Sequence, residues 1–397
     1  MTPPRIARLG ALAARPERAI VGLMSGTSLD GLDIALCRVR GHGESTAVAL
    51  EHFVTRSYDP EQQARLREVV SQERVSLRDL TVLNAWLADL HAGLVLGALA
   101  EWGVPPARVD ALASHGQTVY HAPGSWGGGA AHATLQLGDG DHLAVRTGIL
   151  TVSDFRQKEL AGGGQGAPLA PYADALLFRG DRPRILLNLG GIANFTWLPP
   201  KGSAAPIRHG DTGPANTLLD RAVRRYFPDR QRLYDVDGAL AAQGRVHARM
   251  LALMKDHAYF RLPCPKSTGP ETFGEDYLET ALLGAQHEPV RGPDVLATLT
   301  RLTAETVAEA LLREGQVAGV EVFVSGGGRH NRTLMRELEA LLPGAVLADS
   351  AALGVPPDAK EALLFAVLAN ETLAGAGFPA ADGSGRRIGF GKVSFPD

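Results

Sequence analysis

The sequence predicts an α/β protein of two related halves, and three observations carry that expectation. Strand-like and helix-like segments alternate along the chain, the pattern of mixed α/β folds. An apolar run, a Gly/Ser/Thr/Asp turn and a second β-forming run span Ala19 to Val39 (AIVGLMSGTSLDGLDIALCRV), and the design returns at residues 184–198 (RILLNLGGIANFTWL). The two hairpins begin about 160 residues apart, roughly one domain length, in a chain of 397 residues that exceeds a single typical domain.

Taken in order, the first twenty residues carry four arginines but no apolar core for a secretory signal, and read as a frayed leader. After the first hairpin, Ser76 opens S-L-R-D, a start in which the serine hydroxyl caps a helix and Asp79 reaches back. Leu80, Leu83, Leu87, Leu90 and Leu94 then recur at helical spacing and predict one buried stripe. Further helices are expected at Ala170–Phe178, Thr217–Tyr226, Val295–Glu314, Asn331–Leu342 and Lys360–Ala374. Strands are expected at Ala111–Ser114, Ile149–Ser153, Ile185–Asn188, Val320–Ser325 and Ala345–Ala348. The exposed segment Gly180–Arg184 marks the boundary. Residues 1–182 form the first lobe, residues 183–374 the second, and the tail 375–397, a loop and short final strand, packs back onto the first.

Composition narrows the function. Hydrophobic residues make up 45% and charged residues 21%, which suits large cores and excludes wholesale disorder. A net charge of −3 gives no basic surplus for nucleic acid. Two cysteines, Cys37 and Cys264, make no disulfide framework and no zinc motif, pointing to a reducing cytoplasm. The longest strongly apolar run, Ala92–Ala100, is well below the roughly 18 residues of a membrane span, so no membrane role is expected. Glycine, at 46 residues, is about 12% against a usual level of about 7%. Many of these glycines follow apolar runs in tight turns, where they free backbone N–H groups for a ligand.

Familiar nucleotide motifs fail. There is no G-x-x-x-x-G-K-[ST]. Gly162, Gly164 and Ala167 give only a loose G-x-G-x-x-A, without a preceding strand and with Pro168 at the helix start. Neither Ser25 nor Ser28 lies in G-x-S-x-G, and His115 and His121 are poorly spaced for a metal pair on a helix.

Three segments remain. In MSGTSLDGLD the backbone and hydroxyls of Gly26, Thr27, Ser28, Leu29, Asp30, Gly31, Leu32 and Asp33 can cradle phosphates, while Asp30 and Asp33 can hold Mg²⁺ directly or through water. The competing reading is an ordinary hairpin turn. In GDTGPAN, Asp211 stands before a Thr-Gly-Pro turn at the start of a helical pattern, where it is either a fixed general base or a helix N-cap. In VFVSGGGRHN, Gly326, Gly327 and Gly328, with Asn331 after them, let the backbone pass close to a nucleotide; the alternative is a tight strand-to-helix connection.

Together with SHGQTVYH, TLQLGDG, TGILTVSDFR, GGQGAPLAP, PKSTGPETF and PPDAKEALLFA, these segments resemble the anhydro-N-acetylmuramic acid kinase family of the actin–sugar kinase–heat-shock ATPase superfamily, from Val21 to about Ala374. The resemblance implies a duplicated α/β fold with an interdomain cleft, and a homodimer. It also implies an enzyme that uses ATP, Mg²⁺ and water to open 1,6-anhydro-N-acetylmuramate and phosphorylate its O6, giving N-acetylmuramate 6-phosphate for cell-wall recycling. By the family pattern Asp211 is the base that primes the water, and Glu361 orients water or substrate. Arg156 then suits the lactyl carboxylate of the sugar, His115 and Gln117 line the sugar site, and Lys266 stands near phosphate. Attack by water opposite the departing oxygen implies inversion at the anomeric carbon. Three departures stand out: Asp174 occupies a position where the family often has histidine, ELAGGGQGAPL replaces DIAAGGQGAPL, and DGSGRR replaces a Thr-Gly-Ala turn near the end. The alternatives are a non-catalytic sugar- or nucleotide-sensing regulator on the same scaffold, and a plain glycosidase that needs no ATP.

Overall fold

The computed structural model describes residues 3–26, 28–122, 132–203, 205–228, 233–269, 272–285, 290–356 and 358–397. The chain divides into unit 1, Met1–Leu177 with Asp358–Asp397, and unit 2, Phe178–Pro357.

Unit 1 begins with α1 (Pro4–Ala13), β1 (Glu17–Ser25), β2 (Gly31–Arg40), β3 (Ala47–Ser57), α2 (Pro60–Arg67) and α3 (Leu77–Glu101). It continues through β4 (Ala111–Ala122), β5 (Ala133–Leu137), α4 (Gly140–Thr147), β6 (Thr151–Ser153), α5 (Arg156–Ala161) and α6 (Ala170–Phe178). Unit 2 contains β7 (Arg184–Leu189), β8 (Ile192–Leu198), β9 (Arg208–Pro214), α7 (Asn216–Tyr226), α8 (Ala248–Lys255) and α9 (Glu275–Gly284), followed by α10 (Gly292–Glu314), β10 (Glu321–Ser325), α11 (Arg332–Leu341) and β11 (Val346–Asp349). The chain then completes unit 1 with α12 (Lys360–Ala374), β12 (Phe378–Pro379), β13 (Arg387–Ile388) and β14 (Lys392–Ser394).

The two sheets repeat one topology. In unit 1 the order β3-β2-β1-β4-β6 joins its strands antiparallel, antiparallel, parallel and parallel. In unit 2 the order β9-β8-β7-β10-β11 uses the same sequence of pairings. Each unit therefore carries its own hairpin and its own parallel edge, the relatedness that the two glycine hairpins predict. Unit 1 adds β5 on β4 and β14 on β6.

The expected domain limits need correction. The unit boundary falls at Leu177/Phe178 rather than after residue 182, and α12, expected in the second lobe, belongs to unit 1. The reason lies at Gly22 in β1. A Cβ there would stand 1.8 Å from the Ala362 carbonyl oxygen, so the bare glycine backbone lets α12 lie directly on the sheet. Ala362, Leu363, Ala366 and Val367 are buried on α12. The tail follows it: Tyr172 of α6 meets Phe378 and Phe390 edge-on, with ring centroids 5.1 and 4.8 Å away.

The opening residues are also not a frayed leader. They form α1, which buries Leu12. Arg18, only 1% exposed, donates to the carbonyls of Leu12 and Ala13 at the end of α1 and of Arg15 just beyond it, to the Gly41 carbonyl, and to Asn370 Oδ1 on α12 at 2.6 Å. A buried guanidinium is tolerated only when its donors are satisfied in this way.

Helix α3 starts where Ser76 Oγ accepts from the Asp79 N–H at 3.3 Å. With a mean hydropathy of 1.5 over an 18-residue window, it is long and apolar enough to cross a membrane by length and composition alone. The apolar run in this helix is not continuous, because polar residues such as Asn84, Asp89 and His91 interrupt it. Its apolarity serves the unit 1 core: Leu83, Leu87, Val95 and Leu99 pack with Val21, Leu23, Ile34 and Leu112, with Leu80, Leu90 and Leu94 at the margin. Each fully buried leucine contributes about 1.5–3 kcal/mol.

Candidate active site

The candidate residues divide between the units. Unit 1 holds the first glycine turn, His115, Gln117, Arg156 and Glu361; unit 2 holds Asp211 and the turn at Gly326–Gly328. Thr27 lies outside the described residues.

The turn between β1 and β2 is built on a buried hydrogen-bond chain. Ser25 Oγ donates to Gln117 Oε1 at 2.6 Å and lies 2.9 Å from the Tyr58 hydroxyl, which in turn meets His91 Nε2 at 2.7 Å. Gln117 Nε2 donates to the Gly26 carbonyl at 3.2 Å, and the Tyr58 N–H donates to the Asp30 carbonyl at 2.9 Å. The turn is thus fixed at both ends from beneath. Burial brings His91 down to about 3, so its ring is neutral, and pushes the Tyr58 hydroxyl up. Gln117, expected in the sugar site, is fully buried with its amide spent on Ser25, Gly26 and Thr118; it positions the turn instead. Leu32 and Leu29 are core residues, and Leu29 turns the chain in the left-handed region at φ 58° while its N–H bonds the Gly26 carbonyl.

The two acidic residues of the turn differ in environment. Asp30 Oδ1 accepts from Ser28 Oγ at 2.8 Å, and Asp33 Oδ1 accepts from Thr55 Oγ1 at 2.6 Å. Burial, followed by the negative charges of Asp30 and Asp358, raises the Asp33 carboxyl above its ordinary range despite the Thr55 bond. That is a carboxylate short of positive charge. Among the described residues no group of three or more His, Cys, Asp or Glu forms a metal cage. The pair Asp30/Asp33 still fits Mg²⁺, which commonly takes one or two carboxylates and completes its shell with phosphates and water.

His115, Arg156 and Glu361 form a second group in unit 1. His115 is buried, its Nδ1 lies 2.9 Å from the Gly116 carbonyl, and Arg156 Nε donates to its Nε2 at 3.0 Å. Burial and then the Arg156 charge hold His115 at about 3, so the ring is a neutral acceptor that orients the guanidinium. Burial brings Arg156 down to about 10 while Glu361 and Glu159 act in the other direction. Beyond that Nε bond, Arg156 has no hydrogen-bond or ion-pair partner among the described residues, which leaves its planar fork for an anionic ligand. Glu361 lies in the first turn of α12, exposed as a residue although neighbouring atoms keep water from its carboxyl. That desolvation, then the charge of Asp33, raises it above the ordinary range, against the opposing Lys360 and Arg156. Asp174, the departure on α6, is buried and ion-paired to Lys360 at 3.2 Å. The variant loop after α5 is organised by Glu159, which accepts from the Gly166 N–H and the Tyr172 hydroxyl.

In unit 2, Asp211 sits inside β9, the expected Thr-Gly-Pro turn after it is part of the same strand, and the residue before α7 is Ala215, which corrects the N-cap alternative. Strand pairing opposite Asn194 fixes its backbone. Its N–H donates to the Lys266 carbonyl at 2.8 Å, its carbonyl accepts from the Tyr259 hydroxyl at 2.9 Å, and its Oδ2 accepts from the Thr268 N–H at 2.8 Å. The carboxylate is therefore half-buried and aimed by a backbone donor, as a general base requires. Lys266 gives its ammonium to the Tyr259 carbonyl at 3.0 Å and stacks over that ring at 4.4 Å.

The glycine turn after β10 is more constrained than its sequence suggests. Gly326 has φ 80°, and a Cβ there would meet the Leu189 carbonyl oxygen at 2.6 Å; one at Gly328 would meet the Leu189 side chain at 2.6 Å. Packing on the β7–β8 hairpin therefore requires both. Gly327 alone is exposed, with only Asn216 Nδ2, at 3.8 Å, near a Cβ built there. Asn331 caps α11, its Oδ1 accepting from the Leu334 N–H at 3.0 Å. The close approach adds residues that the sequence reading did not place in the site: Asn188, Gly190, Gly191 and Asn216. Asn216 Nδ2 donates to the Leu189 carbonyl at 2.9 Å, and the Ala215 and Asn216 N–H groups donate to the Gly191 and Gly190 carbonyls. The repeated hairpin LNLGGIAN was the available signal for the first three, and the segment GDTGPAN, which ends at Asn216, for the fourth.

Sequence comparisons with known proteins agree on one family. A family model described as anhydro-N-acetylmuramic acid kinase matches residues 18–395. A protein of that description from Pseudoalteromonas atlantica is 46% identical over 97% of this chain and 97% of its own length. Another from Pseudoalteromonas translucida is 44% identical over 99% and 100%, and one from Salinibacter ruber is 42% identical over 97% and 98%.

Proposed function

The chain belongs to the anhydro-N-acetylmuramic acid kinase family, and from that premise we propose that it uses ATP and water to convert 1,6-anhydro-N-acetylmuramate into N-acetylmuramate 6-phosphate. The observation that carries the reading is Asp211: a half-buried carboxylate on a strand, held by the Thr268 N–H at 2.8 Å and by two bonds to its own backbone. Neither a plain binding scaffold nor a sensor needs a carboxylate fixed in this way.

In the proposed reaction Asp211 takes a proton from water as the water oxygen bonds to the anomeric carbon. The C1–O6 bond breaks with its electron pair on O6, which forms its new bond to the γ-phosphorus of ATP while ADP leaves. No acid need protonate O6, because the phosphoryl group captures it. Arg156, oriented by neutral His115, pairs with the sugar's lactyl carboxylate. Glu361, at the start of α12, orients the water or the sugar. The turn 26–33, tied down by Gln117 and Tyr58, presents N–H groups and hydroxyls to the phosphates. Gly327 and the neighbouring hairpin at Gly190–Gly191 serve the nucleotide. Asp30 and Asp33 would hold Mg²⁺, whose chemistry is to neutralise developing phosphate charge. A homodimer in the cytoplasm, free of nucleic acid and membrane, completes the proposal.

The test is direct. Incubation with Mg-ATP and the anhydro-sugar, followed by mass spectrometry, is expected to yield equal amounts of ADP and sugar phosphate, with no sugar opened when ATP is left out. Ring opening without ATP would favour the glycosidase reading. Binding of both ligands without any product would favour the regulator.

A further inference from the structure

Segment 259–268 of unit 2 has two faces. One holds Asp211, through the Tyr259 hydroxyl, the Lys266 carbonyl and the Thr268 N–H. The other, with the end of α10, encloses a cavity of about 330 Å³ whose lining includes Arg261, Leu262, Cys264, Lys266, Arg313 and Glu314. Three cations face one carboxylate, and that carboxylate already lies 3.5 Å from Arg208.

The cations are anchored mainly on neutral partners. Lys266 Nζ donates to the Tyr259 carbonyl and Arg313 Nη1 to the Phe260 carbonyl, so these bonds fix positions without cancelling charge. The acidic partners outside the cavity are weak: Asp256, opposite Arg261, is 82% exposed, and Glu309 is 3.7 Å from Arg313. Burial lowers the Lys266 pKa, and the Arg313 charge adds to that. Leu262, Pro263 and Ala310 supply an apolar wall. The volume is at the lower end of small-molecule sites.

We propose that this cavity binds a compact organic anion, a phosphate monoester or a carboxylate, and that its occupancy reaches Asp211 through segment 259–268. The site stands apart from both glycine turns in the chain and does not rest on their assigned roles. A bound anion would draw Lys266 and Arg313 inward. Lys266 is also the residue whose carbonyl holds the Asp211 N–H, so the same residue reads the ligand and fixes the base.

Cys264 provides a local reporter. It lies on the cavity wall and is half-buried; burial, then the Glu314 charge, pushes its thiol up to about 11, so labelling at pH 8 is slow, while Cys37 is fully buried in unit 1 and shielded from the reagent. The intact protein is treated at pH 8 with 5,5′-dithiobis(2-nitrobenzoate), an anionic disulfide. In the exchange Cys264 Sγ as thiolate bonds to one reagent sulfur, the reagent S–S bond breaks, and a thiolate departs. Inorganic phosphate is the probe, with ionic strength held constant by chloride. Saturating phosphate is expected to slow labelling at least about fivefold, and the double variant Arg261→Gln, Arg313→Gln should lose that protection with an unchanged melting temperature. Equal rates in phosphate and chloride, or protection that survives in the double variant, would overturn the proposal. Should the variant not fold, the wild-type protein decides. The anionic disulfide must then outpace neutral 2,2′-dithiodipyridine relative to a free thiol, and the preference must fade at high salt; no such preference also overturns it.

Discussion

Replacing Gly22 by alanine tests whether α12 is seated on β1 as the fold requires. The added Cβ would lie 1.8 Å from the Ala362 carbonyl oxygen, 2.8 Å from its carbon and 3.2 Å from the Ala366 nitrogen, all backbone atoms that cannot rotate away. Relief requires α12 to retreat from the sheet by about 1.5 Å, because carbon–oxygen contacts settle near 3.4 Å or more. That retreat loosens the packing of Ala362, Leu363, Ala366 and Val367 and strains the Arg18–Asn370 bond. Overpacking costs about 1–3 kcal/mol, and a value near the top of that range is expected because the clash is with main chain. For a unit of this size about 3 kcal/mol corresponds to a fall of roughly 6–12 °C in the melting temperature of the first transition. Glu361 starts the same helix, so turnover should fall in the surviving folded protein. Thermal unfolding followed by circular dichroism, with activity measured below the transition, reads both effects. A variant that melts within about 2 °C of wild type would refute the seating of α12 on Gly22.

Other perturbations separate the proposed roles. Glu361 has a raised carboxyl pKa, so its ionisation opposes folding increasingly as pH rises from the ordinary 4.5 through the raised value. Glu361→Gln should therefore melt at or above wild type at pH 8, lose that advantage by pH 4, and turn over about 10²-fold more slowly; lower stability at pH 8 would contradict the charge assignment. Gln117→Leu removes the bonds to Ser25 and Gly26, and should raise the KM for ATP about tenfold while changing that for the sugar far less. Arg156→Lys replaces a planar fork by a point charge, and steady-state kinetics should register about a tenfold higher KM for the sugar with kcat little changed.

The repeating architecture was legible because it is written locally. The 3–4 spacing of leucines and the two hairpins identified helices and strands, and Ala170–Phe178 and Lys360–Ala374 coincide with α6 and α12. What local pattern could not carry was partnership at long range. Nothing near Lys360 in sequence announces that Gly22, more than three hundred residues earlier, leaves room for its helix. The same limit applies to the candidate site. Asp211 and Arg156 were visible by residue type and motif, whereas Gln117 could be placed under the turn only once β4 lay beside β1. Asn331 and two of the three glycines at Gly326–Gly328 serve capping and packing, because a glycine needed for contact with Leu189 has the same letter as one needed for a ligand. Thr-Gly-Pro after Asp211 read as a turn, but pairing with β8 extends the strand through that sequence.

Whether one fixed carboxylate activates the water that opens the sugar is decided by single-turnover formation of sugar phosphate in Asp211→Asn. The substitution keeps the shape and the β9 backbone bonds while removing the proton acceptor. ATP and sugar binding close to wild type is expected, with product formation slowed by about 10²–10⁴-fold. Formation within a few-fold of the wild-type rate would contradict that role for the carboxylate.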